Sequence, residues 1–124
     1  MSFELDEKSR MKLRSVRPIL AGVVELAAKL TDTPFIVTEG IRTEARQREL
    51  VAAGASRTMN SRHLTGDAVD LAALVGVKVR WDWPLYSRLA IAMKAAAVDL
   101  NVRLAWGGDW RTFKDGPHFE LRRP

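Results

Sequence analysis

The sequence predicts an α+β fold in which a small antiparallel sheet is flanked by helices. Apolar residues recur at three- and four-residue spacing in separate stretches, which indicates amphipathic helices, and short apolar runs lie between them, which indicates strands. Helices and strands do not alternate regularly, as they would in a parallel α/β fold. A chain of 124 residues has the size of one domain, so we expect residues 1–124 to form a single domain.

The first 30 residues predict two helices. Asp6 is a suitable N-cap for a helix over residues 6–15. Pro18 lacks a backbone N–H and clashes with the preceding turn, so it should end that helix and begin a second one over residues 18–30. The apolar residues that share one face of these helices, and should pack in the core, are Leu13, Val16, Leu20, Val23, Val24, Ala27 and Leu30.

Residues 35–62 predict a strand, a helix and a loop. The β-branched run 35–38 lies between a proline and a glycine, as is typical of a strand. Thr43 can cap a helix over residues 44–53, and small polar residues indicate a loop over 54–62. Arg42 therefore lies at a strand-to-helix junction, where side chains commonly reach a functional site. A surface ion pair would explain this arginine equally well.

The second half of the chain predicts one long helix and the rest of the sheet. Asp70 lies within the apolar strand 68–72, where a carboxylate is costly to bury without a partner. A helix that begins at Trp83, capped by Asp82, should end at Asn101. We predict short strands over residues 102–106 and 118–121 and a turn over 107–110. Residues 76–81 should form a strand or a turn at the edge of the sheet.

Composition and charge restrict the function. The chain has no cysteine, so any metal must be held by His, Asp, Glu or water, and synthesis in a reducing cytoplasm fits. A net charge of +5 favours an anionic partner such as nucleic acid or a cell-wall polymer, but the basic residues form no recognised nucleic-acid motif. The N-terminus is polar and the apolar runs are short, so we expect a soluble protein without signal peptide or transmembrane segment.

The two histidines of the chain indicate a metal site. His63 lies seven residues before Asp70, and His118 lies beside the last predicted strand. Two imidazoles and a carboxylate are the ligands of a catalytic zinc site, which leaves a fourth position open for water. Asp115, three residues before His118, could move a proton of that water. Each residue alone also has a structural explanation, such as packing or a turn, and it is their joint occurrence that favours a metal.

The spacing of these residues resembles a known enzyme family. Ser61-x-His63-x-x-Gly66-x-Ala68-x-Asp70 followed by Asp115-x-x-His118 is similar to the signature of the D-alanyl-D-alanine carboxypeptidase (VanY-like) zinc peptidases. The chain resembles more closely the phage L-alanyl-D-glutamate endopeptidases, small endolysins that cleave the stem peptide of peptidoglycan. The segments that also match this subgroup are 39–43, 62–68 and 106–110, and the resemblance extends from Phe3 to Leu121.

The resemblance assigns roles to residues of the site. Arg42 would stabilise the developing oxyanion near the scissile carbonyl, and Ser61 would contact the substrate. Asp109 would have an indirect or structural role. Many relatives carry Glu as the general base, whereas the phage subgroup uses Asp. The zinc ligands that the resemblance implies are His63, Asp70 and His118. The general base that it implies is Asp115.

The resemblance also implies the biology. The fold would be hedgehog/D-Ala-D-Ala-peptidase-like, and the protein a Zn²⁺-dependent metallopeptidase that hydrolyses the L-alanyl-D-glutamate bond of peptidoglycan. As a phage endolysin it would be a monomer made in the host cytoplasm, reach the wall after a holin opens the membrane, cause cell lysis, and thus be antimicrobial. Its partner would be the stem peptide and not nucleic acid.

Two other functions stay open at this point. A D,D- or L,D-carboxypeptidase of the same fold would trim the end of the stem peptide, and there Ser61 and Arg42 could bind a substrate carboxylate. A non-enzymatic, zinc-stabilised binding module would share the fold without the chemistry, but Asp115 argues against it because a structural metal needs no base. We expect the four tryptophans to pack in the core and walls of the protein and not to stack on sugars. Trp106 and Trp110 flank the predicted site.

Overall fold

The computed structural model describes residues 3–122. The helices are α1 (Glu7–Leu13), α2 (Pro18–Leu30), α3 (Glu44–Ala52) and α4 (Trp83–Asp99). The strands are β1 (Phe35–Glu39), β2 (Ala68–Val75), β3 (Lys78–Arg80), β4 (Leu104–Trp106) and β5 (His118–Leu121). Two short 3₁₀ turns span Arg62–Thr65 and Gly107–Asp109. The predicted α+β fold is confirmed.

Most of the predicted helix boundaries are confirmed. The Asp6 carboxylate accepts a hydrogen bond from the backbone N–H of Ser9, and the Thr43 hydroxyl accepts one from the N–H three residues on. α2 begins at Pro18, in the first turn, where a missing N–H costs no hydrogen bond. Asp82 is the N-cap residue of α4, as predicted, but its side chain forms no capping hydrogen bond. The Asp82 carboxylate instead forms an ion pair with Arg80.

The sheet is antiparallel throughout. Its strand order is β1-β2-β5-β4, and β3 also pairs with β2 beyond the end of β5. Asp70 lies opposite His118 on one neighbouring strand and opposite Glu39 on the other. Since directly paired residues point to the same face of a sheet, the register alone aligns these three side chains in a row.

A β-bulge in β1 is needed for that row. Phe35 and Val37 are buried in the core, and simple alternation would direct Glu39 to the core with them. The register shifts between Val37 and Glu39, and a bulge of this kind re-aims the side chains that follow it. Glu39 therefore lies on the same face as Asp70.

One face of the sheet is covered by helices and the other carries the polar row. The buried cluster joins the inner faces of α2 and α4 with alternate residues of the strands, such as Val69 and Leu71. The predicted apolar face of α2 is confirmed except at its end, where Leu30 is 52% exposed. Within residues 3–122, no helix combines the length and the apolar character that crossing a bilayer requires.

Candidate metal centre and active site

The three predicted metal ligands lie together. His63 belongs to the 3₁₀ turn after α3, Asp70 to β2 and His118 to β5. Nε2 of His63 and Nδ1 of His118 each lie 3.2 Å from Oδ1 of Asp70. The nearest ligand atoms of the three residues are all within 4.8 Å of one another, so one ion could contact all of them.

The remaining ring nitrogens have acceptors of their own. Nδ1 of His63 lies 2.9 Å from the carbonyl oxygen of Gly40, and Nε2 of His118 lies 2.8 Å from a carboxylate oxygen of Glu120. Because these oxygens can only accept, they favour a proton on each of those nitrogens and leave the other two lone pairs facing Asp70. This arrangement, in which outer acceptors fix the tautomer of each imidazole, is typical of histidine metal ligands, and the residues therefore fit a divalent metal such as zinc.

The charges at this point also favour a cation. Burial opposes ionisation of Asp70, but hydrogen bonds from His118 and His63 keep the pKa of its carboxyl well below the ordinary value. Burial likewise disfavours a charged His118, yet Asp70 and Glu120 together raise the pKa of this imidazole to about 9. Binding of a metal to His118 therefore competes with binding of a proton to the same ring.

The turn that carries His63 is fixed from both sides. The Ser61 hydroxyl accepts a hydrogen bond from the backbone N–H of His63 at 3.2 Å, and the backbone N–H of Arg42 donates to the His63 carbonyl at 2.9 Å. Gly40 packs so closely on the end of α1 that an added Cβ would lie 2.5 Å from the hydroxyl oxygen of Ser15. The Gly40 carbonyl that faces the His63 ring is therefore held in place.

A cleft of about 440 Å³ surrounds the three ligands. It is bordered by the loop that follows α3 and by the loop that precedes β5. Of the other residues with predicted roles, Ser61, Arg42, Asp115 and Trp110 all line it. The Trp110 ring centroid lies 5.1 Å from that of His118. The structure thus brings together all six of the predicted site residues, which are Ser61, Arg42, His63, Asp70, Asp115 and His118.

Asp115 is positioned by the glycine-rich turn before it. The backbone N–H of Asp115 donates to the Gly107 carbonyl at 3.0 Å, and Gly107 lies so close to the Asp115 backbone that no Cβ would fit. The indole N–H of Trp106 donates to the Gly116 carbonyl at 2.7 Å. Burial and the nearby Asp70 carboxylate raise the pKa of Asp115 above its ordinary value, which makes it a stronger base once it is ionised.

Arg42 is a buried part of the site and not a surface ion pair. Its side chain is 8% exposed. Its Nε atom lies 2.6 Å from Oε1 of Glu39, and its Nη2 atom lies 2.6 Å from Oε2. Nη1 donates to the side-chain oxygen of Gln47 at 2.6 Å, and Nη2 lies 3.8 Å from Asp70. A guanidinium has five N–H groups, so two are not used in these three hydrogen bonds.

Three supporting residues were not predicted. Glu39 reaches the site only because of the β-bulge, which leaves no pattern in the sequence. Gln47 is fully buried in α3, a helix without an apolar face. Glu120 could have been found, because it lies two residues after His118 on the same strand and therefore on the same face.

Two of the neighbouring residues lie outside the cleft lining. Asp109 is exposed and forms a 2.6 Å ion pair with Lys94 of α4. It does not belong to the lining of the cleft that contains the proposed metal ligands. Trp106 was expected to flank the site; its ring stacks on Phe119 and its indole N–H holds the Asp115 loop, whereas Trp110 contacts the site directly.

We expect Glu120→Ala to lower the affinity for the metal by roughly 10- to 100-fold, the usual effect of losing an outer partner of a histidine ligand. Without the Glu120 acceptor, the proton on Nε2 of His118 is no longer favoured and the ring can rotate away from Asp70. Competition with a chromophoric chelator measures the affinity. Glu120→Gln, which retains an acceptor oxygen, should lose less. An alanine variant with parental affinity would contradict this role.

The comparisons with known proteins agree with this geometry. A family model described as phage L-alanyl-D-glutamate peptidase matches residues 1–122. The L-alanyl-D-glutamate peptidase of Escherichia phage T5 is 33% identical over 127 residues, which cover 99% of this chain and 92% of the relative.

Two solved structures share the fold. The L-Ala D-Glu endopeptidase ChiX of Serratia marcescens is 46% identical, with a TM-score of 0.91 over 96% of this chain and 90% of that one. The vancomycin-resistance D,D-dipeptidase VanXYg is 18% identical, with a TM-score of 0.55 over 86% of this chain and 50% of that one. This second likeness concerns the fold alone, and it confirms the predicted D-Ala-D-Ala-peptidase-like architecture.

Proposed function

Because the chain belongs to the phage L-alanyl-D-glutamate peptidase family, we propose that it hydrolyses the L-alanyl-D-glutamate bond in peptidoglycan stem peptides with the help of a zinc ion. The observation that carries the proposal is the convergence of His63, Asp70 and His118 in one cleft with Asp115 and Arg42. We assign the three convergent residues as the zinc ligands. When bound there, zinc would act as a Lewis acid on the scissile carbonyl and make water more acidic.

Asp115 is the general base in this proposal. Its carboxylate accepts a proton from the attacking water as the new C–O bond forms at the alanyl carbonyl carbon. It then delivers this proton to the nitrogen of D-glutamate as the C–N bond breaks, which gives a carboxylic acid and an amine. After the remaining proton of the water passes from the acid to the amine, the products leave as a carboxylate and an ammonium group. One carboxyl group can serve both steps, since the base that takes the proton becomes the acid that returns it.

Arg42 and Ser61 act on the substrate. The two free N–H groups of Arg42 stabilise the negative charge that develops on the carbonyl oxygen, and Glu39 and Gln47 hold the guanidinium in place beforehand. The oxygen of Ser61 caps the turn of His63, but its O–H remains a donor for a peptide carbonyl.

Removal of the metal tests the zinc assignment. A chelator should abolish release of peptides from purified peptidoglycan, and stoichiometric Zn²⁺ should restore it, because the His63, Asp70 and His118 donor set suits zinc. Magnesium serves as the control, since it prefers oxygen ligands and should restore no activity. Full hydrolysis by metal-free protein would contradict the proposal.

Arg42→Ala should retain zinc and lose roughly 10²- to 10³-fold in turnover, the usual cost of one oxyanion donor. Arg48→Ala is the matched control, because Arg48 makes an exposed ion pair with Glu44 on α3 and should have parental activity. Turnover and bound zinc are measured for each variant. Unchanged turnover in Arg42→Ala would leave Arg42 only a structural role with Glu39.

The biological role follows from the family. We propose that the protein is an endolysin, made in the host cytoplasm as a monomer, which reaches the wall after a holin opens the membrane and causes lysis. The match to phage peptidases supports this proposal. The names of the relatives favour an endopeptidase over a carboxypeptidase, and the position of Asp115 in the cleft favours an enzyme over a binding module.

A further inference from the structure

The proposed substrate has a charged group for which the catalytic residues provide no partner. The scissile amide uses the nitrogen of D-glutamate, so both carboxyl groups of that residue lie on the leaving side of the bond. In a linear peptide one of them continues the chain and the other remains a free carboxylate. If the proposed function is correct, this carboxylate enters the cleft, where an unpaired charge would be costly to desolvate.

Three arginines are the cations that line the cleft in the described part of the chain. Arg42 already pairs with both carboxylate oxygens of Glu39. The Nε atom of Arg62 lies 3.7 Å from the Glu120 carboxylate, and its Nη1 donates to a backbone carbonyl at 3.4 Å. Both guanidinium groups therefore have acidic partners within the protein.

Arg57 differs from the other two. Between residues 3 and 122 it forms no ion pair, and its guanidinium carbon lies over the ring of Phe113 at 5.2 Å from the centroid. A guanidinium that lies over an aromatic ring can still bind a carboxylate in bidentate fashion through its N–H groups. Arg57 is thus the cleft arginine whose charge is not paired with a carboxylate of residues 3–122.

Phe113, the aromatic partner in this contact, has an unusual backbone conformation. Its φ of 51° lies in the left-handed region, which non-glycine residues rarely adopt. Its ring nevertheless remains 44% exposed, so burial of the side chain does not explain the strain. Arg57 comes from the loop after α3 and Phe113 from the loop before β5, so the pair joins the two borders of the cleft.

We propose that Arg57, which lies over the ring of Phe113, forms a carboxylate-binding subsite that receives the free carboxylate of the D-glutamate residue. The subsite would make Arg57 a determinant of specificity, because a peptide with a carboxamide at this position offers a neutral group in place of the charge. The subsite acts on recognition and leaves the chemistry at Asp115 unchanged.

Two peptides test the subsite, one with the free D-glutamate carboxylate and one with the carboxamide in its place. The parental enzyme should cleave the first with a kcat/KM about tenfold higher, as expected for one charge-assisted hydrogen-bonded pair at an exposed position. Arg57→Gln should abolish this preference by slowing the carboxylate peptide alone, and Arg57→Lys should retain part of it. Arg111→Gln removes the same charge from the Phe113 loop outside the cleft lining and should keep the preference.

Binding of the two peptides to the Asp115→Asn variant, measured by calorimetry, separates this inference from the proposed function. A preference for the carboxylate peptide that disappears when Arg57→Gln is added supports the subsite. This holds even if the parental enzyme hydrolyses neither peptide, a result that would contradict the proposed reaction. Equal binding of both peptides, or a preference that survives Arg57→Gln, overturns the subsite while hydrolysis by the parental enzyme still supports the reaction.

Discussion

Replacing His63 with alanine should release the metal and abolish peptidoglycan hydrolysis in the same variant. His63 contributes Nε2 to the convergent group, and its ring is fixed by the Gly40 carbonyl on the opposite side. With two ligands left, Asp70 and His118 would pair with each other, as their 3.2 Å contact already allows. Metal content by atomic spectroscopy and peptide release should therefore fall together.

Two variants make this result specific. Asp109→Ala removes an exposed carboxylate that pairs with Lys94, so it should retain full metal content and activity. His63→Ala combined with Asp70→Ala removes two of the three proposed ligands and should bind no zinc. Stoichiometric zinc in that double variant would show that the metal lies elsewhere.

Asp115→Asn should retain zinc and lose roughly 10²- to 10⁴-fold in turnover, the range for loss of a general base. Asparagine preserves the shape of the side chain, and the backbone contacts with Gly107 do not depend on the carboxylate. The parental rate should fall on the acid side as Asp115 becomes protonated, because the protonated carboxyl cannot accept the proton of water.

The pH–rate profile distinguishes a base from a residue that only shapes the cleft. The Asn variant should lose the acid limb that Asp115 causes, if proton transfer limits turnover. If the Asn variant instead hydrolyses peptidoglycan at the parental rate, the base is another residue, and Glu120, which also lines the cleft, would be tested next.

Local sequence patterns predicted most of the fold. Pro18 and Thr43 mark helix starts through the chemistry of single residues, and these boundaries hold in the structure. Periodicity identified the inner face of α2 but not where burial ends, so exposed Leu30 was assigned to the core. Asp82 was a plausible cap, yet the side chain of Arg80 competes for its carboxylate, a competition that residue type alone does not decide.

The site residues that belong to a pattern of fixed spacing could be predicted from the sequence. Those that depend on tertiary geometry could not. The site pattern consists of two short local spacings, from His63 to Asp70 and from Asp115 to His118, and the structure brings the two parts together. The contact between Arg42 and Glu39 depends on a bulge, and the contact between Arg57 and Phe113 depends on how two loops approach each other. A single sequence contains no periodic signal for either.

The most direct test of the proposed reaction is to digest purified peptidoglycan with the zinc-loaded protein and identify the new termini by mass spectrometry. Hydrolysis of the L-alanyl-D-glutamate bond predicts peptides that begin with a free D-glutamate amine and glycan fragments that end in an alanine carboxylate. The zinc-free protein and the Asp115→Asn variant should yield neither at a comparable rate. Release of single C-terminal residues, or new termini at any other bond, would contradict the proposed reaction.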